Sequence, residues 1–123
     1  MSHEGARLGL IALGWRKNYE GGLKRRSMSN RAYMVSGGIE QTRASFNFSG
    51  HWELVAYLAG KLDLDGAEMA HIEWGNEGWT IPTQLLQDAC QALSLEPSVA
   101  DCLVEDIAQA KILGEEAIFY RIR

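Results

Sequence analysis

The stretch TRASFNFSGHWELVAYLAGKL, Thr42 to Leu62, changes its hydrophobic period halfway along, and that change sets the fold class. From Thr42 to Phe48 apolar and polar residues alternate. Ala44, Phe46 and Phe48 fall on one side and Arg43, Ser45 and Asn47 on the other, the two-residue period of a half-buried strand. From residue 50 to 62 the apolar positions become Leu54, Val55, Leu58, Ala59 and Leu62, which share one helical face about 100° wide, with Ser49 as a plausible N-cap. A half-buried strand followed by a helix with one wet side calls for a sheet with helices laid on it.

Working outward, Tyr33-Met34-Val35-Ser36 reads as a strand stopped by Gly37-Gly38. Downstream, Asp63-Leu64-Asp65-Gly66 reads as a helix-to-strand turn. Met69 to Trp74 reads as a strand with Ala70, Ile72 and Trp74 opposite Met69, His71 and Glu73. Gly75-Asn76-Glu77-Gly78 would close a hairpin onto Trp79-Thr80-Ile81. Pro82 opens a helix over 83–95 with the stripe Leu85, Leu86, Ala89, Cys90 and Leu93. Ser98 and Asp101 have capping-box spacing ahead of the stripe Val99, Cys102, Leu103, Ile107, Ala110 and Leu113, which Gly114 ends. Residues 117–123 close the chain as a strand alternating Ile118, Tyr120 and Ile122 with Phe119, Arg121 and Arg123. The order predicts a two-layer α+β sandwich: a mainly antiparallel sheet of about four to five strands with about three helices packed on it.

The chain has 123 residues, 46% hydrophobic, enough for one core and too apolar for wholesale disorder. No window approaches the roughly 20 apolar residues of a membrane span. The net charge of −4 conceals a division. Residues 1–31 hold seven basic residues against two acidic, +5, whereas residues 32–123 hold five against fourteen, −9. The sequence therefore divides into a glycine-rich basic arm, 1–30, and an acidic domain, 31–123. The apolar run Leu8–Trp15 is broken by Gly9 and Gly14 and followed, not preceded, by Arg16 and Lys17, the wrong polarity for a secretory signal. With two cysteines, Cys90 and Cys102, both in helical patterns, the expectation is a cytoplasmic protein with reduced thiols.

Chemistry-bearing motifs are few. His71 and Glu73, two apart on the expected strand, would share a face, the minimum for general-base work beside Trp74 or Trp79. The zinc-deaminase pattern also starts His-x-Glu, but its Pro-Cys-x-x-Cys half is absent. His51, Glu53 and Glu68 could complete a metal site only by a fold that the spacing does not demand. Neither nucleotide-binding glycine motif is present. No metal or cofactor is expected, and the reading leans away from an enzyme.

Two features point to recognition. Trp74 and Trp79 flank the expected turn, either as core packing or, with Asn76 and Glu77, as a binding surface. The arm carries Arg16, Lys17, Lys24, Arg25 and Arg26 with Trp15 and Tyr19 interleaved, a pattern that could contact phosphates and stack on bases. The −9 body weighs against a nucleic-acid partner. It suits instead a basic protein partner or a neighbouring copy's arm.

With four tryptophans and an ambiguous start at Met1 or Met28, the chain is similar in manner to small proteins of mobile, integron-type gene cassettes. That likeness implies a compact α+β domain, often dimeric, and transfers no functional residue. The expected function is that of a non-catalytic interaction protein, self-associating with a dimer favoured, masking a basic partner as immunity proteins and antitoxins do. The alternatives are a small enzyme or ligand-binding domain using His71 and Glu73, and nucleic-acid binding through the arm.

Overall fold

The computed structural model describes residues 30–48, 50–75 and 78–123. The arm residues Arg16, Lys17, Lys24, Arg25 and Arg26 and the turn residues Asn76 and Glu77 lie outside the described residues. Among the described residues, five strands and four helices follow in the order β1 (Arg31–Ser36), β2 (Ile39–Glu40), β3 (Phe46–Asn47), α1 (Trp52–Lys61), α2 (Gly66–Trp74), β4 (Trp79–Pro82), α3 (Thr83–Ala92), α4 (Pro97–Ile112) and β5 (Ala117–Ile122). The sheet runs β2-β1-β5-β4, with β3 also paired to β1, and every pairing is antiparallel. This is the two-layer α+β fold that the pattern of periods implies.

The first and last strands occupy the middle of the sheet, in register Ala32↔Ile122 through Val35↔Phe119. Their two-residue period sends Ala32, Met34, Ile118, Tyr120 and Ile122 into the core, joined from β4 by Trp79 and Ile81. Gly37 and Gly38 close the β1–β2 hairpin at φ +59° and +80°. Two consecutive positive φ values make the two-residue turn whose twist matches the strands, and only glycine adopts both without strain.

The helices lie on the core side. Leu54, Val55, Leu58 and Ala59 of α1 are fully buried, as are Leu86 and Ala89 of α3 and Leu103 and Ala110 of α4. Helix α4 starts one residue before the expected Ser98 cap. Pro97 takes the first turn, Glu96 is the N-cap, and no side chain caps the end. A proline's missing N–H costs nothing there, so Pro97 sets the start. Leu113, expected on the buried stripe, is exposed beyond the last turn.

Two segments depart from expectation. Residues 42–48 do not form one continuous strand; only Phe46 and Asn47 pair, with Ala32 and Arg31. Residues 42–44 bulge away from β1 between the Gln41 and Ser45 amides, which donate to Met34 and Ala32, and the Arg43 and Ser45 side chains reach carboxylates on α4. The second departure is α2. Residues 69–74 are helical, not strand, so the expected hairpin between Met69–Trp74 and Trp79–Ile81 does not exist. The cause is a complete capping box: Asp65 accepts from the Glu68 amide at 2.8 Å, and the Glu68 carboxylate accepts from the Asp65 amide at 3.2 Å. These bonds satisfy amides that open a helix, after which Met69 and Glu73, four apart, turn inward together.

Candidate interaction surface

The sheet has a second face, opposite the helices, built from the alternate residues of the same strands. Arg31, Tyr33 and Val35 of β1, Phe119 and Arg121 of β5, and Thr80 and Pro82 of β4 point that way. Among the described residues this face is left open: Arg31, Thr80, Pro82 and Arg121 are exposed, and Tyr33, Val35 and Phe119 are half-buried. Register sets Tyr33 beside Arg121 and Val35 beside both Phe119 and Glu40. The two aromatic rings therefore stand on the two central strands as diagonal neighbours.

Glu40 organises the cations on this face. One of its carboxylate oxygens forms an ion pair with Arg121, 3.0 Å from Nε, and the other accepts from Arg123 Nε at 2.9 Å and from Arg123 Nη2. The Arg123 guanidinium lies over the Tyr33 ring, 4.6 Å from its centroid. One carboxylate thus holds two guanidinium groups, one of them on an aromatic ring. At the β4 end, Gly78 has φ +81°, and a side chain there would strike the Phe119 ring and the Tyr120 carbonyl. Glycine at that position lets Phe119 lean across β4.

The charges of the described domain are sorted by layer. The helices and their links, 50–75 and 83–116, carry twelve acidic residues against Lys61 and Lys111. The open sheet face carries Arg31, Arg121 and Arg123 against Glu40 alone.

On the core side, a polar cluster joins three elements. Asp106 of α4, Ser45 and Tyr120 are all buried, and the two hydroxyls donate to the same Asp106 oxygen, Ser45 at 2.5 Å and Tyr120 at 2.8 Å. Arg43 approaches the other oxygen at 3.6 Å while donating to Glu105 at 2.7 Å. Burial pushes the Asp106 carboxyl above its ordinary value against the pull of the two hydroxyls and Arg43. Burial, with the neighbouring Asp106, pushes the Tyr120 phenol well up. The serine has no histidine beside it in this cluster and is sealed from solvent, so the group fastens the 41–45 segment and β5 to α4. A carboxylate on the apolar side of α4 is the one sign of it in the sequence, visible only once helical phase fixes that side.

The residues singled out for chemistry separate. On a helix, His71 and Glu73 are about 200° apart. His71 is exposed at a shallow hollow with Leu64, Glu68 and Ile72, while Glu73 is buried and its backbone carbonyl accepts from Asn30 at 2.8 Å. Trp74 is half-buried at the end of α2. Trp79 is in the core, 5.8 Å from Phe48 and 6.5 Å from Phe46 between ring centroids, so the two tryptophans do not face each other across a hairpin. His51 accepts from the Asn47 amide through Nδ1, the N-terminal neighbour of α1. Cys90 and Cys102 are free thiols, raised by burial and so poor nucleophiles. Among the described residues no three His, Cys, Asp or Glu side chains converge on a metal-sized point, and no helix is long and apolar enough to cross a membrane.

No protein-family model, no curated protein and no solved structure matches the chain.

Proposed function

We propose that this chain is a non-catalytic interaction protein whose two layers serve as surfaces of opposite charge. The observation that carries the reading is the sorting of charge between the layers: twelve acidic residues on the helical side, ten of them outside the core, and three arginines with one glutamate on the open sheet. Complementary potentials of this kind steer encounter and select partners more than they add raw affinity. The acidic helical layer suits a basic protein partner, and a basic arm or sheet face of another copy meets the same requirement, so self-association and masking of a basic protein draw on one surface. The enzymatic alternative draws on His71 and Glu73, which diverge on α2.

The test is solution mass by light scattering at low and high salt, with titration of an arginine-rich peptide followed by calorimetry. Self-association or peptide binding that weakens as salt rises supports the reading. A monomer at both salt concentrations that binds neither the peptide nor any anionic polymer removes it.

A further inference from the structure

We infer that the open sheet face binds single-stranded nucleic acid, with Tyr33 and Phe119 as base-stacking platforms and Arg31, Arg121 and Arg123 as phosphate contacts. This rests on the interaction reading above and names the partner of one of its two surfaces.

Sequence-tolerant binding of single strands combines aromatic rings, on which bases stack, with cations that track the backbone. Both are present on one face: the Phe119 ring offers a stacking surface directly, and over Tyr33 the Arg123 guanidinium, 4.6 Å from the ring centroid, is itself a plane on which a base stacks or which a base displaces. Tyr33 and Phe119 stand on adjacent central strands, two residue pairs apart in register and on the same face. Arg121 and Arg123 have side chains 50% and 59% exposed, so solvent and ligand reach them although Glu40 holds them in place. Arginine offers five donor hydrogens. Glu40 pairs with Arg121 on the Nε side, and half of that side chain stays exposed to phosphate oxygens. Arg31 and Arg123 exchange backbone hydrogen bonds at 3.0 and 2.9 Å, which brings a third guanidinium-bearing residue to the same end of the face.

The acidic composition of the domain is the objection to any polyanion, and the layered arrangement answers it. Among the described residues, the exposed carboxylates belong to the helices and their links. A helix is about 10 Å across, and charges are largely screened beyond about 8 Å at physiological ionic strength. A strand lying on the sheet face meets the local +2 of Arg31, Arg121, Arg123 and Glu40 in place of the domain's overall negative charge.

The experiment is fluorescence anisotropy of the full chain with labelled single strands of about twelve nucleotides, DNA and RNA, within the usual site-size range, and with a duplex competitor. Phe119→Leu and Tyr33→Leu keep apolar bulk and remove the ring. Each is expected to weaken single-strand binding about tenfold with an unchanged circular dichroism spectrum. Arg121→Ala is expected to lower the salt dependence by close to one phosphate contact. Gln91→Ala, exposed on α3, is expected to leave binding unchanged.

Several outcomes overturn the inference. They are no single-strand binding at low salt, a duplex that binds as tightly, or binding that survives both ring replacements and disappears only when Lys24, Arg25 and Arg26 are replaced by Gln. A dimer dissociated by Phe119→Leu, with no nucleic acid bound, also overturns it; the sheet face is then a contact between copies and the interaction reading stands.

Discussion

Tyr120 and Asp106 meet across the boundary between the sheet and α4, the phenol donating to a buried carboxylate at 2.8 Å. Ser45, sixty-one residues from Asp106, donates to the same oxygen. Three segments distant in the chain therefore converge on one acceptor in a setting where an unpaired polar group is costly.

Removal of one donor and removal of the acceptor have different consequences. Tyr120→Phe keeps the ring's contact with Phe46, 5.3 Å between centroids, and leaves Asp106 bonded to Ser45. It is expected to cost about 1–2 kcal/mol. Asp106→Ala strands two buried hydroxyls and is expected to cost about 2–5 kcal/mol. Urea unfolding of the three proteins checks the order; equal losses would contradict the shared acceptor.

The same carboxylate makes stability depend on pH with a definite sign. The folded pKa of Asp106 lies above its ordinary 3.8 because burial outweighs its hydrogen bonds. Between 3.8 and the folded value the native state binds more protons than the unfolded chain, so this group's contribution to stability is present below 3.8 and lost as pH rises through the folded pKa. Asp106→Asn removes that titration. The stability of the parent minus that of the variant should fall as pH rises from 3.8 and then level off. A difference that grows with pH would contradict the raised carboxyl.

Trp79 is 3% exposed and packs against two phenylalanines. Trp79→Ala is expected to destabilise by about 3–5 kcal/mol, while a tryptophan serving a wet recognition surface would change stability by under about 0.5 kcal/mol. Chemical denaturation, with near-ultraviolet dichroism to follow aromatic packing, separates the two.

The capping box that makes α2 a helix is open to a direct test. Asp65→Ala should cost about 1 kcal/mol and reduce helical dichroism, because the Glu68 amide loses its acceptor. Glu68→Ala in the same protein should add less than its separate effect, since both residues belong to one reciprocal device. Fully additive losses would contradict that reciprocity.

Burial period alone determined most of the scaffold. β1, α1, α3, α4 and β5 could be read from the sequence because each buries one face of a regular element, and the repeat of apolar residues reports that face. Met69 to Trp74 escaped that reading because six residues fit an alternating and a helical pattern nearly equally. The Asp65–Glu68 spacing was the signal that distinguishes them, since it satisfies the first amides of a helix. The sequence also divided the charge between arm and domain, but it could not divide the domain. That required strand order and register: β1 and β5, the first and last strands of the described domain, lie side by side with β2 next to β1, and their outward residues bring Tyr33, Glu40, Phe119, Arg121 and Arg123 onto one face. Local periodicity specifies which side of a strand is buried. It carries no information about which strand comes to lie beside it, because that is settled by long-range packing of the whole core, and the composition of the open face is settled with it.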